Sequence, residues 1–283
     1  MTNKHGLSRN IPVEVKRKVR KRCGFGCVLC GLGIYTYEHI DPEFAEARIH
    51  DSTKITLLCG SCHLKVTKGV WSKDKVVAGN KNPFCITNKK SNEYFDAQSP
   101  FGVSIGRIYY YKNVSGELLK VENEPLLSLQ LITGEPPKLS GIFFDKEDKE
   151  IFRIIENEWS GNLNAWDIES VGKKLIIRGN DKKVLLQICA KPPNIIAVEK
   201  IDMMYKGCGL KIDEISGQIT IETPIAKHID VSSGVVATEG ALVLNKEGFA
   251  FQGGSIIMLA QPDTPLNPLD FQKLLDTGRI VSV

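Results

Sequence analysis

The chain has no apolar run approaching the ~20 residues that a membrane-spanning helix requires. Its polar, basic opening, MTNKHGLSRN, lacks the apolar centre of a secretory signal and reads as a flexible leader. No membrane partner is therefore expected, and the expected compartment is the cytoplasm. Low-complexity blocks are absent, and no fixed repeat period is found. The scattered glycines Gly106, Gly141, Gly172 and Gly217 form no phosphate-cradling loop. A disulfide framework is not expected either. Of eight cysteines in this long chain, four pair as Cys-x2-Cys knuckles, a pattern that fits metal binding in a reducing compartment. The others, Cys23, Cys85, Cys189 and Cys208, have no ligand spacing and read as buried small apolar residues.

What is present is the composition of a globular protein, 42% hydrophobic and 25% charged over 283 residues, enough for one large or two ordinary domains. The net charge of +4 is unevenly distributed: residues 1–75 hold 14 Lys/Arg against 7 Asp/Glu, the remainder 23 against 26. The positive charge lies at the N-terminal end, which favours a polyanionic partner there. Within it, residues 12–22 (PVEVKRKVRKR) read as a helix that opens at a proline. Its cations Lys16, Arg17, Arg20 and Lys21 are candidate phosphate contacts.

The stretch from Cys27 to Lys68 carries the chemistry. It holds Cys27-x2-Cys30, then Glu38-His39-Ile40 leading into Asp41-Pro42, then Cys59-x2-Cys62-His63. Four thiolates supplied as two knuckles match the tetrahedral sulfur site of a structural Zn2+, closed to substrate by its fourth sulfur. Residues 34–37 read as a strand delivering Glu38 and His39, residues 55–58 as a second, and residues 61–68 as the start of a helix carrying His63.

At these residues the sequence resembles the HNH family of ββα-metal endonucleases in its four-cysteine, zinc-bound form, over about residues 9–75. The resemblance implies that His39 is the general base. It also implies that Glu38 (where many members have Asp) and His63 hold a catalytic Mg2+ or Mn2+, and that the substrate is DNA, in the double-stranded form. The chain departs from the family at one position, where Lys54 occupies the place of the usual Asn. Either another group, His50 ahead of Asp51, completes the cation site, or the module binds without cutting. Lys54 itself is a candidate phosphate contact.

Residues 71–100 are polar and weakly periodic, with one short helix expected near 73–78, and 76–100 reads as the linker between domains. From residue 101 onward, short runs rich in Val, Ile, Leu and Tyr recur about every 8–20 residues between Gly, Asn, Asp and Pro, the texture of an all-β domain. A sandwich is expected, with an irregular β-solenoid as the rival, and a short helix near 268–277. The clusters Asn157-Glu158-Trp159 and Trp166-Asp167-Ile168-Glu169 read as core aromatics beside surface acids, with a ligand pocket as the alternative. His228 reads as a surface residue.

The expected fold class is therefore α+β: a small zinc-stapled ββα-metal module over 1–75, then a larger all-β domain over 101–283. The expected function is a metal-dependent DNA endonuclease, a restriction or anti-phage effector gated by a ligand, protein trigger or homo-oligomer contact at the β-rich domain. The alternative is a non-catalytic nucleic-acid-binding protein with a β-rich oligomerisation or ligand-binding domain.

Overall fold

The computed structural model describes residues 2–99, 101–110, 115–192, 194–226, 229–231, 234–237, 240–252, 256–259 and 281–282. The expected helix at 268–277 and His228 lie outside these residues. The described chain is dominated by strands, with four α-helices, and falls into two units. The first comprises Met1–Glu93 and Ser160–Ser170, the second Tyr94–Trp159 and Val171–Val283.

The first unit opens with helix α1, Val13–Cys23. Val15, Val19 and Cys23 recur every four residues along one stripe, and Val19 and Cys23 are fully buried. Glu14 in the first turn and Arg20, Lys21 and Arg22 in the last suit the helix dipole. Gly24 ends the helix at φ 73, and a Cβ there would sit 2.7 Å from the Cβ of Cys85, so only glycine fits. Strands β1 (Thr36–His39) and β2 (Ile55–Leu58) pair antiparallel, with Thr36 opposite Leu58 and His39 opposite Ile55. Every residue of β2 is buried. Helix α2 (Gly60–Thr67) follows directly, and the Cys59 thiol caps it by accepting from the N–H of Cys62.

The short helix expected near 73–78 is α3 (Lys73–Lys81), and where only linker was expected a second helix, α4 (Phe84–Asn88), follows it in the first unit. Val76 of α3 joins the core formed by Ile11, Val19, Val28, Ile55, Leu57 and Leu58. Cys85 of α4 is buried, its thiol donating to the carbonyl of Gly31 at 3.7 Å. Helix α4 is too short for its periodicity to stand out in the sequence.

The second unit is built from strands. Strands β3 (Ser91–Tyr94), β10 (Glu158–Gly161) and β11 (Asp167–Val171) lie where the chain passes between the units. One open sheet runs β20-β19-β6-β7-β8-β9, comprising Gly248–Gln252, Ala241–Asn245, Gly116–Val121, Glu124–Gln130, Lys138–Phe144 and Glu150–Ile155. Its strands are antiparallel except where β19 meets β6. The second sheet uses β4 (Gly102–Ile105), β5 (Ile108–Tyr110), β12 (Lys174–Arg178), β13 (Val184–Lys191) and the long β14 (Ile195–Tyr205). It is extended by β15 (Cys208–Ile212), β16 (Ile219–Glu222), β17 (Ile229–Val231), β18 (Gly234–Ala237), β21 (Ile256–Leu259) and β22 (Val281–Ser282). One edge of β14 passes from a parallel partner, β4, at Ile195–Val198 to an antiparallel one, β15, at Ile201–Tyr205.

Antiparallel meanders dominate both sheets, which removes the solenoid alternative for the described strands. Inward alternation is clearest in β8, where Leu139, Gly141 and Phe143 are buried. Tyr110 of β5 ties the two sheets together. Its buried hydroxyl donates to the carbonyl of Leu118 at 2.5 Å and accepts from the N–H of Leu242 at 3.2 Å. Cys23, Cys85, Cys189 and Cys208 are all buried free thiols, in accord with their reading as apolar residues. Among the described residues, no helix is long and apolar enough to cross a membrane.

Candidate metal centre and histidine cluster

The sulfurs of Cys27, Cys30, Cys59 and Cys62 all lie within 4.8 Å of one another. Cys30 Sγ is 3.6 Å from Cys59 Sγ and 3.7 Å from Cys62 Sγ. A tetrahedron of sulfurs around zinc, with bonds of about 2.3 Å, has edges of about 3.8 Å, whereas a disulfide is about 2.05 Å long. The cluster therefore fits a structural metal such as zinc. A hydrogen bond from Cys30 holds the Cys27 thiol down at about 5, and the same bond pushes Cys30 up. Burial, then the Cys27 charge, push Cys62 up to about 12. Four sulfurs this close cannot all ionise unaided, because each thiolate repels the next; a divalent cation removes that obstacle. The first knuckle turns through Gly31 at φ 84, where a Cβ would meet the Phe84 ring at 2.7 Å. Thus α4 packs on the knuckle and requires glycine there.

Strand β1 and helix α2 bring Glu38 and His63 together. His63 Nε2 lies 3.2 Å from Glu38 Oε2, and both side chains are about two-fifths exposed. They are a pair; among the described residues the four cysteines are the one group of three or more side chains able to share a metal.

His39, at the end of β1, is buried, with 8% of its surface exposed. Its Nε2 is 3.2 Å from Nδ1 of His50, and Nε2 of His50 is 2.9 Å from the carbonyl of Ser8. Burial, then the charge of His50, lower the His39 pKa from its ordinary value. The ring packs at 5.4 Å against Phe44, which carries the Arg9 guanidinium at 5.5 Å. His50 was expected beside Glu38 and His63 as a cation ligand. Both of its nitrogens are engaged elsewhere, which leaves no lone pair for a metal. Asp51 is occupied locally: the N–H and hydroxyl of Thr53 both donate to it at 2.8 Å, lowering its pKa. Lys54 is exposed, 4.0 Å from Asp41.

The cations of α1 separate into two sets. Arg20 was expected at a phosphate but is buried, with 1% exposed. Its Nε and Nη2 donate to the two carboxylate oxygens of Asp167 at 2.8 and 2.5 Å, and Nη1 donates to Glu169 at 2.9 Å and the Tyr37 hydroxyl at 2.7 Å. Burial alone would lower its pKa; the hydrogen bond and charge of Asp167, with Tyr37, outweigh that and raise it. Lys21 donates to the carbonyls of Leu163 and Ala165 at 2.9 and 2.7 Å, and burial followed by the charge of Arg17 lowers its pKa. Arg17 lies 4.2 Å over the Trp166 ring and Lys16 5.7 Å over that of Tyr37. Much of this basic face therefore grips the segment Ser160–Ser170, and Arg20 is a structural residue.

Asp167 is accordingly a buried partner and not a surface acid. The signal for it lay in the alternation Asp167-Ile168-Glu169, which sets two carboxylates on one face of a strand, as a guanidinium requires. Asn3 was also missed. Its amide donates to the carbonyls of Phe44 and Ala47, both at 2.6 Å, and its oxygen accepts from the N–H groups of His5 and Leu7. The expected flexible leader is a clasped arm, and an Asn followed by polar residues gives no local hint of that. The chain matches no protein-family model, no curated protein and no solved structure.

Proposed function

We propose that the chain is a metal-dependent endonuclease of the HNH kind acting on double-stranded DNA, with a zinc-stapled ββα-metal site in its first unit. The observation that carries this reading is the 3.2 Å contact of Glu38 with His63, next along β1 from a buried, hydrogen-bonded His39. In this reading His39 accepts a proton from water as the water oxygen bonds to phosphorus; the ester bond breaks, and the leaving oxygen takes a proton from solvent. Glu38 and His63 would hold Mg2+ or Mn2+, which supplies charge stabilisation to the scissile phosphate and the leaving oxygen. Zinc in the four-cysteine cluster has a structural part only. With Arg20 and Lys21 engaged internally, Lys16, Arg17 and Lys54 are the remaining candidates for phosphate contact. The β-rich unit serves recognition, homo-oligomer assembly or triggering, which suits a restriction or anti-phage effector. Four cysteines clustered as a metal site requires, with four more buried as thiols, suit a reducing, cytoplasmic setting.

A second reading, a zinc-stapled module that binds nucleic acid without cutting, draws on Lys54, which pairs with Asp41 and offers no amide to the site. Incubation of supercoiled plasmid with the zinc-loaded protein separates the two. Cleavage is expected in Mg2+ or Mn2+, none in EDTA, and none by His39→Ala, which still binds DNA. Salt-dependent binding without cleavage in any metal would establish the second reading, and cutting by His39→Ala at the parent rate would remove His39 as the base.

A further inference from the structure

The carbonyl of Ser8 can only accept a hydrogen bond, so the proton on the facing nitrogen of His50, 2.9 Å away, is fixed on Nε2. In the neutral ring the other nitrogen, Nδ1, is then an acceptor. The contact of 3.2 Å between it and His39 Nε2 must be donated by His39. A neutral His39 with its proton on Nε2 has its lone pair on Nδ1. The direction of the whole chain of bonds thus follows from one backbone carbonyl.

That carbonyl is itself held. Asn3 closes the arm on itself by accepting from His5 and Leu7, and fastens it to the loop after β1 by donating to Phe44 and Ala47. Lys4 adds an ion pair to Glu46 at 2.6 Å, and Phe44 packs against the His39 ring. The arm, the loop and the two imidazoles form one connected assembly.

We propose that His50 is the positioning residue of His39: with the N-terminal arm clasped by Asn3, it holds the imidazole with Nε2–H donated inward and the Nδ1 lone pair free to take a proton from water. This rests on the endonuclease reading, in which His39 is the base, and gives His50 a part other than metal ligation. His50 touches no substrate; it acts through His39, as residues that orient ligating or catalytic histidines do.

The test compares His50→Phe, which keeps a ring and removes the acceptor, with His50→Asn, whose amide oxygen can occupy the place of Nδ1. His50→Phe is expected to lower kcat by about 10–100-fold with KM little changed, and His50→Asn to retain most of the parent kcat. Asn3→Ala should move kcat in the same direction by a smaller factor. Nitrogen-15 NMR of the parent should show an exchange-protected Nε2–H on His39 with coupling across the hydrogen bond to His50 Nδ1. That signal should vanish in His50→Phe while zinc content and circular dichroism stay unchanged. The NMR experiment stands even if the parent does not cut, so failure of the nuclease reading is distinguishable from failure of the relay. A folded His50→Phe with the parent kcat, or a parent in which His39 Nε2 carries no protected proton, would overturn the proposal.

Discussion

Replacing Asp167 with Asn keeps the shape of the side chain and removes its charge. In the parent, the two oxygens of Asp167 face two N–H groups of Arg20 at 2.8 and 2.5 Å, with both side chains at least 97% buried. The amide of Asn would point N–H at N–H on one side of that fork. One charge-assisted bond, worth roughly 1.5–3 kcal/mol, is lost outright. The guanidinium, which cannot shed its proton, is left with Glu169, whose side chain is 25% exposed and whose compensation is screened by solvent. Uncompensated burial of this kind costs about 3–5 kcal/mol, a large part of the stability of an ordinary domain. Urea unfolding of the zinc-loaded full chain, followed through zinc release to a chromogenic chelator, should show the midpoint falling with an unchanged slope. The Arg20→Met, Asp167→Leu double variant should lose less than Asp167→Asn, because it removes the stranded charge as well as the pair. A loss below about 1 kcal/mol in Asp167→Asn would refute the reasoning, since that is what an exposed pair contributes.

Cys59→Ser removes one of the four clustered sulfurs while its hydroxyl can still cap α2, so the variant isolates the loss of the metal site; structural zinc supplies about 10 kcal/mol or more of folding free energy in small modules. The first unit should unfold, with elemental analysis finding less than one zinc per chain; a folded, zinc-free parent would contradict the assignment. The lowered pKa of His39 has a defined sign. The folded state favours the neutral ring, so its contribution to stability is full above the unfolded value of about 6.5 and is lost as pH falls from there through the folded pKa. The gap in urea midpoint between the parent and His39→Phe should therefore shift against the parent between pH 7.5 and 5. For the same reason the acid limb of cleavage should lie below the ordinary imidazole range, and a limb above it would contradict the burial argument.

Local pattern carried part of this structure. The two knuckles, the pair of strands and the helix bearing His63 were legible because each is set by residues within a few positions, and the strand-rich texture after residue 101 was legible from its β-branched runs and turn residues. The placement of Arg20 was not. Its partner lies 147 residues away, and a cation beside the buried Val19 reads as solvated until something arrives to meet it. The same holds for Asn3, whose acceptors are more than 40 residues distant, and for His50, whose likeness to a ligand was local while its two hydrogen bonds are not. In each case spacing named the chemistry a side chain could perform and tertiary contact selected the partner.

The segment Ser160–Ser170 gives this molecule an order in time. As the chain is synthesised, α1, both knuckles, β1 and α2 leave the ribosome early, while Asp167 and Glu169 follow only after residues 94–159 have been made. Until then Arg20 has Tyr37 for company and no counter-charge, so α1 must keep that guanidinium in water. The helix can settle into its final place only when the later segment folds back across it. A partly made or early-truncated chain therefore holds an incomplete first unit, in which α1 lacks the carboxylates that meet Arg20.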